Sequence, residues 1–400
     1  SLSDLEKWVE KEQNKLNKLY PDLTLNHQMQ KVTIIYRNIP QYRIEFYNLL
    51  REGLRKKNIE LQLIYGDNPF KGRHDNVHCE WATFKKNCTL NVGSVYLIWQ
   101  PCTKEIADAD LVIVEQANKL LFNYYLMLRK LLLNKKFAFW GHGLNLQISK
   151  TNIFNRFKLT YINRASWWFA YTTGIRDFLV KQGVNKDNIT VVQNAIDTKS
   201  MNELYHSIPE MEVDLLKEQY HINRNDKVLI YCGALSKEKN IRFLLDSCIE
   251  LRSKCSNFKL FIIGDGPLNK MVQKAADENP WIITTGPKFG RDKALYFRMA
   301  DLFLLPGAMG LAILDSFAFE TPIVTIKYDF HGPEFEYIED DYNAIVAEGN
   351  IVDYTSKVSE LLNNPEKINK LKKAAGLMIG QYNIQNMVDN FIEGIERALM

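Results

Sequence analysis

The chain of 400 residues has no pair of cysteines spaced as CxxC, and its six cysteines, Cys79, Cys88, Cys102, Cys232, Cys248 and Cys255, are scattered. Several lie in apolar runs, where a free thiol behaves as a small hydrophobe, so neither a zinc site nor a disulfide framework is expected and the compartment reads as reducing. The sequence also lacks an apolar run long enough to cross a bilayer, which takes about 20 residues. Its longest, Leu120 to Leu133, is broken by Arg129 and Lys130. No signal peptide is recognisable. "IIYRNIPQYR", which follows the first strand-like run, contains no glycine, so the GxGxxG of a dinucleotide enzyme is missing there. No DxD-like acidic pair lies in a plausible loop, and His74 and His78 beside Cys79 lack a metal-ligand spacing. Membrane-spanning, dehydrogenase and metal-site readings fall away, and a cytoplasmic protein is expected.

The sequence is rich in core-forming residues. With 46% hydrophobic and 24% charged residues, a chain of this length exceeds one typical domain. "KVTIIY", "IELQLIYG", "ADLVIVE", "KFAFWG", "WWFAYT" and "ITVVQN" read as short buried strands, separated by amphipathic runs such as "FYNLLREGLRKK" and "NYYLMLRKLLL". "KVLIYCG", "FKLFIIGDG", "WIITTG", "DLFLLPG" and "PIVTIK" repeat the pattern in the second half. Strands alternating with helices give parallel sheets covered on both faces, here two in series, an α/β architecture. The expected layout is an N-terminal helical extension over 1–30, a first domain over 31–200, a second over 201–382, and a closing helix over 383–400 placed to pack back on the first domain. The polar stretch from Ala195 to Asp226 reads as the linker. In the extension, Leu2, Leu5, Val9, Leu16 and Leu19 form a seam too short for a coiled coil, which suits a helix docked on its own body.

The net charge of +4 conceals an asymmetry. Residues 31–200 hold 25 Lys and Arg against 13 Asp and Glu, whereas residues 201–400 hold 22 against 29. A basic first half suits an anionic partner, such as a membrane surface, a diphosphate or nucleic acid, and a solubilising scatter of charge has the same arithmetic. No nucleic-acid-binding motif supports the last of these partners.

Ligands of open parallel sheets bind at the carboxyl ends of the strands, so the loops that follow strands are the candidates. In "GALSKEKN" (233–240), Lys239 stands near a helix N-terminus where free amides would help it hold a phosphate; an ordinary solvated lysine has the same appearance. "GDGP" (264–267) permits tight turning. In "PGAMGLAILDSFAFETP" (306–322), Pro306, Gly307 and Gly310 open a helix whose first turn would expose amides to an anion, with Asp315 placed to reach a ribose hydroxyl or simply to face solvent. "DFHGPEFEYI" (329–338) sets His331 and Glu334 around a Gly-Pro turn that reads equally as structural. In "FWGHGLN" (139–145), His142 lies between two glycines after a strand, either as a hydrogen-bonding group open to substrate or as a histidine satisfied by its own loop.

Taken in this order, the second-half loops resemble the donor-binding half of the retaining GT-B glycosyltransferases of the "glycosyl transferases group 1" family. "GALSKEKNIRFLLDS", "FIIGDGPL" and "DLFLLPGAMGLAILDSFAFETPIVT" carry the resemblance, and "WWFAYTTGIRDFLVKQGVNKDNITVVQNAID" is similar to the end of that family's first domain. The resemblance implies two Rossmann-like doubly wound parallel-sheet domains facing a central cleft. It also implies transfer, with retention, of a sugar from a nucleotide-diphosphate donor to a hydroxyl, the nucleotide sugar serving as co-substrate without a metal or other cofactor. Lys239 and His142 are then the catalytic candidates. Gly233, Lys239, Gly264, Gly266, Phe289, Gly307, Gly310, Leu311, Asp315 and Glu334 are the donor-binding ones. The implied acceptor is a glycan or glycolipid, and the implied location is cytoplasmic, peripheral at the inner face of the cell membrane.

Four positions depart from the family. Ala234 stands where an arginine is usual, Gly307 and Asp315 where two glutamates are usual, and Glu320 where glycine is usual. They keep two other readings open: a non-catalytic nucleotide-sugar-binding relative, and a nucleotide-sugar 2-epimerase, for which the acidic and histidine catalytic groups are not apparent.

Overall fold

Runs of Val, Ile and Leu that are apolar on both faces cannot face water on either side, and here they become the strands of two parallel sheets. The computed structural model describes residues 29–67, 78–92, 95–143 and 153–400; the seam over residues 2–19 and His74 lie outside them. The first domain contains β1 (Gln30–Tyr36), β2 (Ile59–Tyr65), β3 (Thr83–Phe84), β4 (Cys88–Val92), β5 (Val95–Trp99), β6 (Leu111–Glu115), β7 (Lys136–Gly141), β8 (Trp167–Ala170) and β9 (Ile189–Val191). Seven of these form one sheet in the order β3-β2-β1-β6-β7-β8-β9. β4 and β5 form a separate antiparallel hairpin, with Cys88 opposite Trp99. The second domain contains β10 (Lys227–Cys232), β11 (Phe258–Ile263), β12 (Ile282–Gly286), β13 (Leu302–Leu304), β14 (Ile323–Ile326) and β15 (Ala344–Ala347), ordered β12-β11-β10-β13-β14-β15. Each sheet reverses strand order beside its first strand, the topological switch point at which doubly wound sheets open a crevice. All eleven quoted strand segments form strands; β3, β15 and the β4–β5 hairpin are additional.

The stretch from Ala195 to Asp226 is not a linker. It folds into helices Thr198–Ser207 and Glu210–Gln219, both packed on the second domain. Asn202 Nδ2 donates to the Ala318 carbonyl at 2.9 Å, Arg291 pairs with Glu212 at 2.6 Å, and the Tyr220 and Tyr296 hydroxyls meet at 2.8 Å. Polar residues dominate the segment because each helix presents only a narrow stripe, Tyr205 on one and Val213 and Leu216 on the other, to the core.

The last helix, Ile384–Leu399, crosses back to the first domain. Its apolar stripe includes Met387, Val388, Phe391 and Ile395, and Phe391 stacks on Phe169 with ring centroids 4.6 Å apart and meets Trp140 edge-on at 4.9 Å. Lys136 Nζ donates to the carbonyls of Ala398 and Leu399 at 3.1 and 3.0 Å, which satisfies orphan acceptors at the helix end.

Glu320 occupies its glycine-like position at a cost. It has φ +47°, in the left-handed region, and its carboxylate accepts from Asn202 at 3.1 Å and contacts His206 at 2.8 Å. Glu320→Ala should lose these contacts and keep the strain, whereas Glu320→Gly should lose the contacts and relieve it. Chemical denaturation should therefore find the glycine variant more stable than the alanine variant by about 1 kcal/mol. Equal stability of the two would remove the strain from the account.

Candidate active site

Four loops at the carboxyl ends of the second sheet interlock before any ligand is considered. After β10, a 3-10 turn at Lys237–Lys239 leads into helix Ile241–Lys254, and Lys239 Nζ donates to the Ala308 carbonyl in the loop after β13. The Ala308 amide answers by donating to the Glu238 carbonyl at 2.8 Å. Gly307 makes this approach possible: a Cβ there would lie 2.2 Å from the carbonyl carbon of Lys239. The vacant glutamate position is thus filled by close backbone packing. Gly264 is constrained in the same way, since a Cβ on it would stand 1.9 Å from the Gly233 carbonyl oxygen. Gly266 packs against Leu235 in the same junction, so the glycines of these loops serve loop-to-loop contact whatever ligand they meet.

The loop 306–311 opens helix Ala312–Ala318, and two of its amides are already engaged. Ala308's is taken by Glu238, and Met309's donates to His331 Nδ1 at 3.1 Å. The amides of Gly310 and Leu311 have no acceptor among the described residues. His331 Nε2 lies 2.8 Å from the Ile326 carbonyl, and the ring stacks on Phe335 with centroids 4.0 Å apart. With one nitrogen accepting from an amide and the other donating to a carbonyl, His331 is held neutral, and burial pushes its pKa below the ordinary histidine value. It is a strut for the 306–310 loop.

Glu334 stands in the 3-10 segment Pro333–Tyr337, only 4% exposed. It accepts from Asn194 Nδ2, and Asn194 Oδ1 in turn accepts from Arg43 of the first domain. Burial raises the Glu334 pKa, opposed by the bond from Asn194. Lys239 is buried enough for its pKa to be lowered, with Glu334 and Glu238 opposing that shift. The structure therefore brings Lys239, Gly307, Gly310 and Glu334 together. Asp315 faces inward and is not a solvent-facing polar residue: it is 8% exposed and pairs with Lys293 at 2.6 Å. Burial works against the Lys293 charge, and Asp315 outweighs it, so that its pKa stands above the ordinary lysine value. Phe289, at the turn into helix Gly290–Met299, is 75% exposed.

Across the cleft, His142 follows β7, half-buried, with its ring edge-on to Tyr171 at 5.9 Å. The second-domain cluster reaches it through Arg43, whose guanidinium lies 5.3 Å from the Trp140 ring, and through Tyr171. Sequence reasoning missed Arg43, Asn194 and Lys293, although "IIYRNIPQYR" and "VVQNAID" contain the first two. It also missed Glu336, which accepts from Thr172 Oγ1 at 2.8 Å and the Gly174 amide at 2.9 Å, tying the second domain to the first turn of helix Thr173–Lys181. Asp108 and Asp110, a DxD by spelling, sit beside Lys31 just before β6, away from these loops.

A comparison with known families matches residues 212–378 to glycosyl transferases group 1. The chain carries a glycosyl transferases group 1 domain. Its two sheets have the GT-B arrangement. A glycosyltransferase from Rickettsia africae ESF-5 superposes with a TM-score of 0.69 at 14% identity, covering 93% of this chain and 99% of that one. HepE from Anabaena, solved in complex with UDP, gives 0.67 at 15%, covering 92% and 100%. In sequence, the alpha-monoglucosyldiacylglycerol synthase of Acholeplasma laidlawii is 27% identical over 199 residues, 48% of each chain. The chain thus spans about half the length of that curated relative. Among the described residues, no helix of this GT-B protein is long and apolar enough to cross a membrane.

Proposed function

We propose that the protein transfers a sugar from a nucleotide-diphosphate donor to a hydroxyl of a glycolipid or glycan acceptor, with retention and without a metal. The observation that carries this reading is Lys239, a buried ammonium at the junction of the β10 and β13 loops, beside the unengaged amides of Gly310 and Leu311. Breaking the glycosidic bond leaves a diphosphate whose growing negative charge needs preorganised donors more than a protein nucleophile, and this junction supplies them. His142, on the opposite domain, offers one hydrogen bond to a sugar or acceptor hydroxyl. The fit of Gly307 against Lys239 favours a working variant of the site over a decayed one. A mass-spectrometric screen of nucleotide sugars against the purified protein tests the reading: retention of one donor is expected, and retention of none contradicts it.

The glycolipid acceptor draws support from the named lipid glycosyltransferase relative and from one surface of the first domain. Helix Phe122–Leu133 buries Phe122 and Leu126 but leaves Leu128, Leu131, Leu132 and Leu133 exposed, from 51 to 80%. Ile153 and Phe157 of helix Ile153–Tyr161 are exposed too, so the apolar content of both helices exceeds what their own sheet covers. Lys130, Lys135, Arg156 and Arg164 accompany them in the sequence. Apolar residues mixed with cations suit an anionic membrane face, where each cation contributes about 1 kcal/mol. Co-sedimentation should show binding to vesicles containing anionic lipid that weakens as salt rises. Equal recovery with neutral vesicles, or no pelleting at low salt, would leave the acceptor soluble.

A further inference from the structure

Asn194 and Glu334 meet where the two domains touch. Asn194 follows β9, and its amide donates to the Tyr171 carbonyl at 3.0 Å while its own carbonyl accepts from the Tyr337 hydroxyl at 3.1 Å. Its side chain lies between Arg43 and Glu334. Arg43 can only donate, so the carboxamide oxygen of Asn194 must face it and the carboxamide nitrogen must face Glu334. Arg43 is itself held, by the Ala195 carbonyl and the Met387 sulfur, each at 3.3 Å, and over the Trp140 ring. All three members of the chain are buried. The carboxamide cannot turn over without setting its donors against the guanidinium and its oxygen against the carboxylate.

The consequence falls on Glu334. Its Oε1 is committed to Asn194. Its Oε2 lies beside the loop that opens helix Ala312–Ala318: a Cβ on Gly310 would stand 3.6 Å from it, and one on Gly332 3.0 Å. No other described residue donates to Oε2. The Cβ on Gly310 would meet nothing else within 4 Å among the described residues beyond its chain neighbours, so Oε2 borders open space beside the unengaged amides of Gly310 and Leu311.

Those amides and Lys239 suit an anion. Oε2 does not, because a carboxylate repels a phosphate and can only accept. What it can hold is a hydroxyl, and a nucleotide sugar carries hydroxyls on both sides of its diphosphate, on the ribose and on the sugar. The transferred sugar must lie at the domain boundary, since it passes from the ligand of one domain to that of the other, and Asn194 ties Glu334 to that boundary. We infer, on the transferase reading, that Glu334 Oε2 accepts a hydrogen bond from a hydroxyl of the transferred sugar, and that Asn194 and Arg43 are positioning residues that keep this oxygen an acceptor. A sugar lacking that hydroxyl leaves the oxygen unpaired and is rejected.

Calorimetry with UDP-glucose, GDP-mannose and dTDP-glucose, each beside its free nucleoside diphosphate, tests this in the full chain. In Glu334→Gln, Asn194 still presents a donor, so the new carboxamide turns its oxygen to Asn194 and its nitrogen to the sugar. An acceptor has become a donor. Affinity for the nucleotide sugar that the parent binds should fall about 10- to 100-fold, as for loss of a charged hydrogen bond, with affinity for the free diphosphate unchanged. Adding Asn194→Asp reverses the polarity: a carboxylate there still accepts from Arg43 and now draws the carboxamide nitrogen, which returns the oxygen to the sugar. Most of the lost affinity should come back in the double variant, and thermal unfolding confirms that each variant is folded. Unchanged affinity in Glu334→Gln, or no recovery in the double variant, overturns the inference. So does an equal fall for nucleotide sugar and free diphosphate, which a ribose contact or mere support of the loop predicts. If the parent binds neither nucleotide sugar nor diphosphate, the transferase reading falls and this one with it; nucleotide-sugar binding that is indifferent to Glu334 overturns this one alone.

Discussion

Replacement of Lys239 by alanine is expected to lower the rate of sugar transfer about 100-fold, the size seen when one preorganised donor to a developing negative charge is removed. The lysine is well placed for this role. It is buried, its charge is favoured by Glu334 and Glu238 against the cost of burial, and its ammonium already reaches across the β10 loop to the carbonyl of Ala308. That bond also gives it a mechanical task, since it helps the 306–310 loop keep its place. The two roles separate experimentally. Loss of leaving-group stabilisation lowers kcat while thermal unfolding stays close to that of the parent, whereas loss of the loop's support lowers Tm and donor affinity together. Turnover equal to the parent's would remove Lys239 from the chemistry.

The second large effect runs against what family resemblance alone suggests. Restoring the usual glutamate by Gly307→Glu should not improve the enzyme; it should disable it. The first carbon of the new side chain would lie 2.2 to 2.5 Å from the carbonyl carbon, carbonyl oxygen and Cα of Lys239, all backbone atoms that cannot swing aside. One of the two loops must move, breaking the Ala308 amide to Glu238 bond and carrying Lys239 with it. Overpacking of this kind costs about 1–3 kcal/mol, and a misplacement of roughly 1 Å near reacting groups costs about 100-fold in rate. Thermal unfolding and steady-state transfer should therefore both fall in Gly307→Glu. Gly307→Ala should already show part of the loss, because the clash begins at Cβ. Parental activity in either variant would mean that the two loops are not packed as described.

Gly307 also shows where sequence reading stops. The strands were legible because parallel sheets bury both faces and write themselves as unbroken Val, Ile and Leu runs: β1, β6, β10 and β11 are continuous in the sequence and buried in the fold. The helices between residues 195 and 226 were not, because a helix that lends only one or two residues to a core leaves a polar sequence. At the site, Lys239 was visible from its position after a strand, and Glu334 from its turn. The partners that orient them were hidden. Asn194 lies 140 residues from Glu334, and Arg43 another 151 before Asn194; only the approach of the two domains makes them a chain of hydrogen bonds. Asp315 looked available for a ribose because nothing in its own helix reveals Lys293, which approaches from 22 residues away on another helix. The Gly-Pro turn around His331 read equally as structural, and His331 is a strut, a role that depends on where its two ring nitrogens point.

The central claim is that the cleft performs transfer and not only binding or rearrangement of a nucleotide sugar. The most direct test is turnover of the donor retained in the mass-spectrometric screen, followed as release of nucleoside diphosphate with and without glycolipid or glycan acceptor. The account predicts release that is slow alone and rises with acceptor, accompanied by a glycosylated product that keeps the donor's anomeric configuration. Release or isomerisation of the sugar at the same rate without acceptor would make the protein a hydrolase or epimerase, and donor binding without any turnover would make it a binding protein.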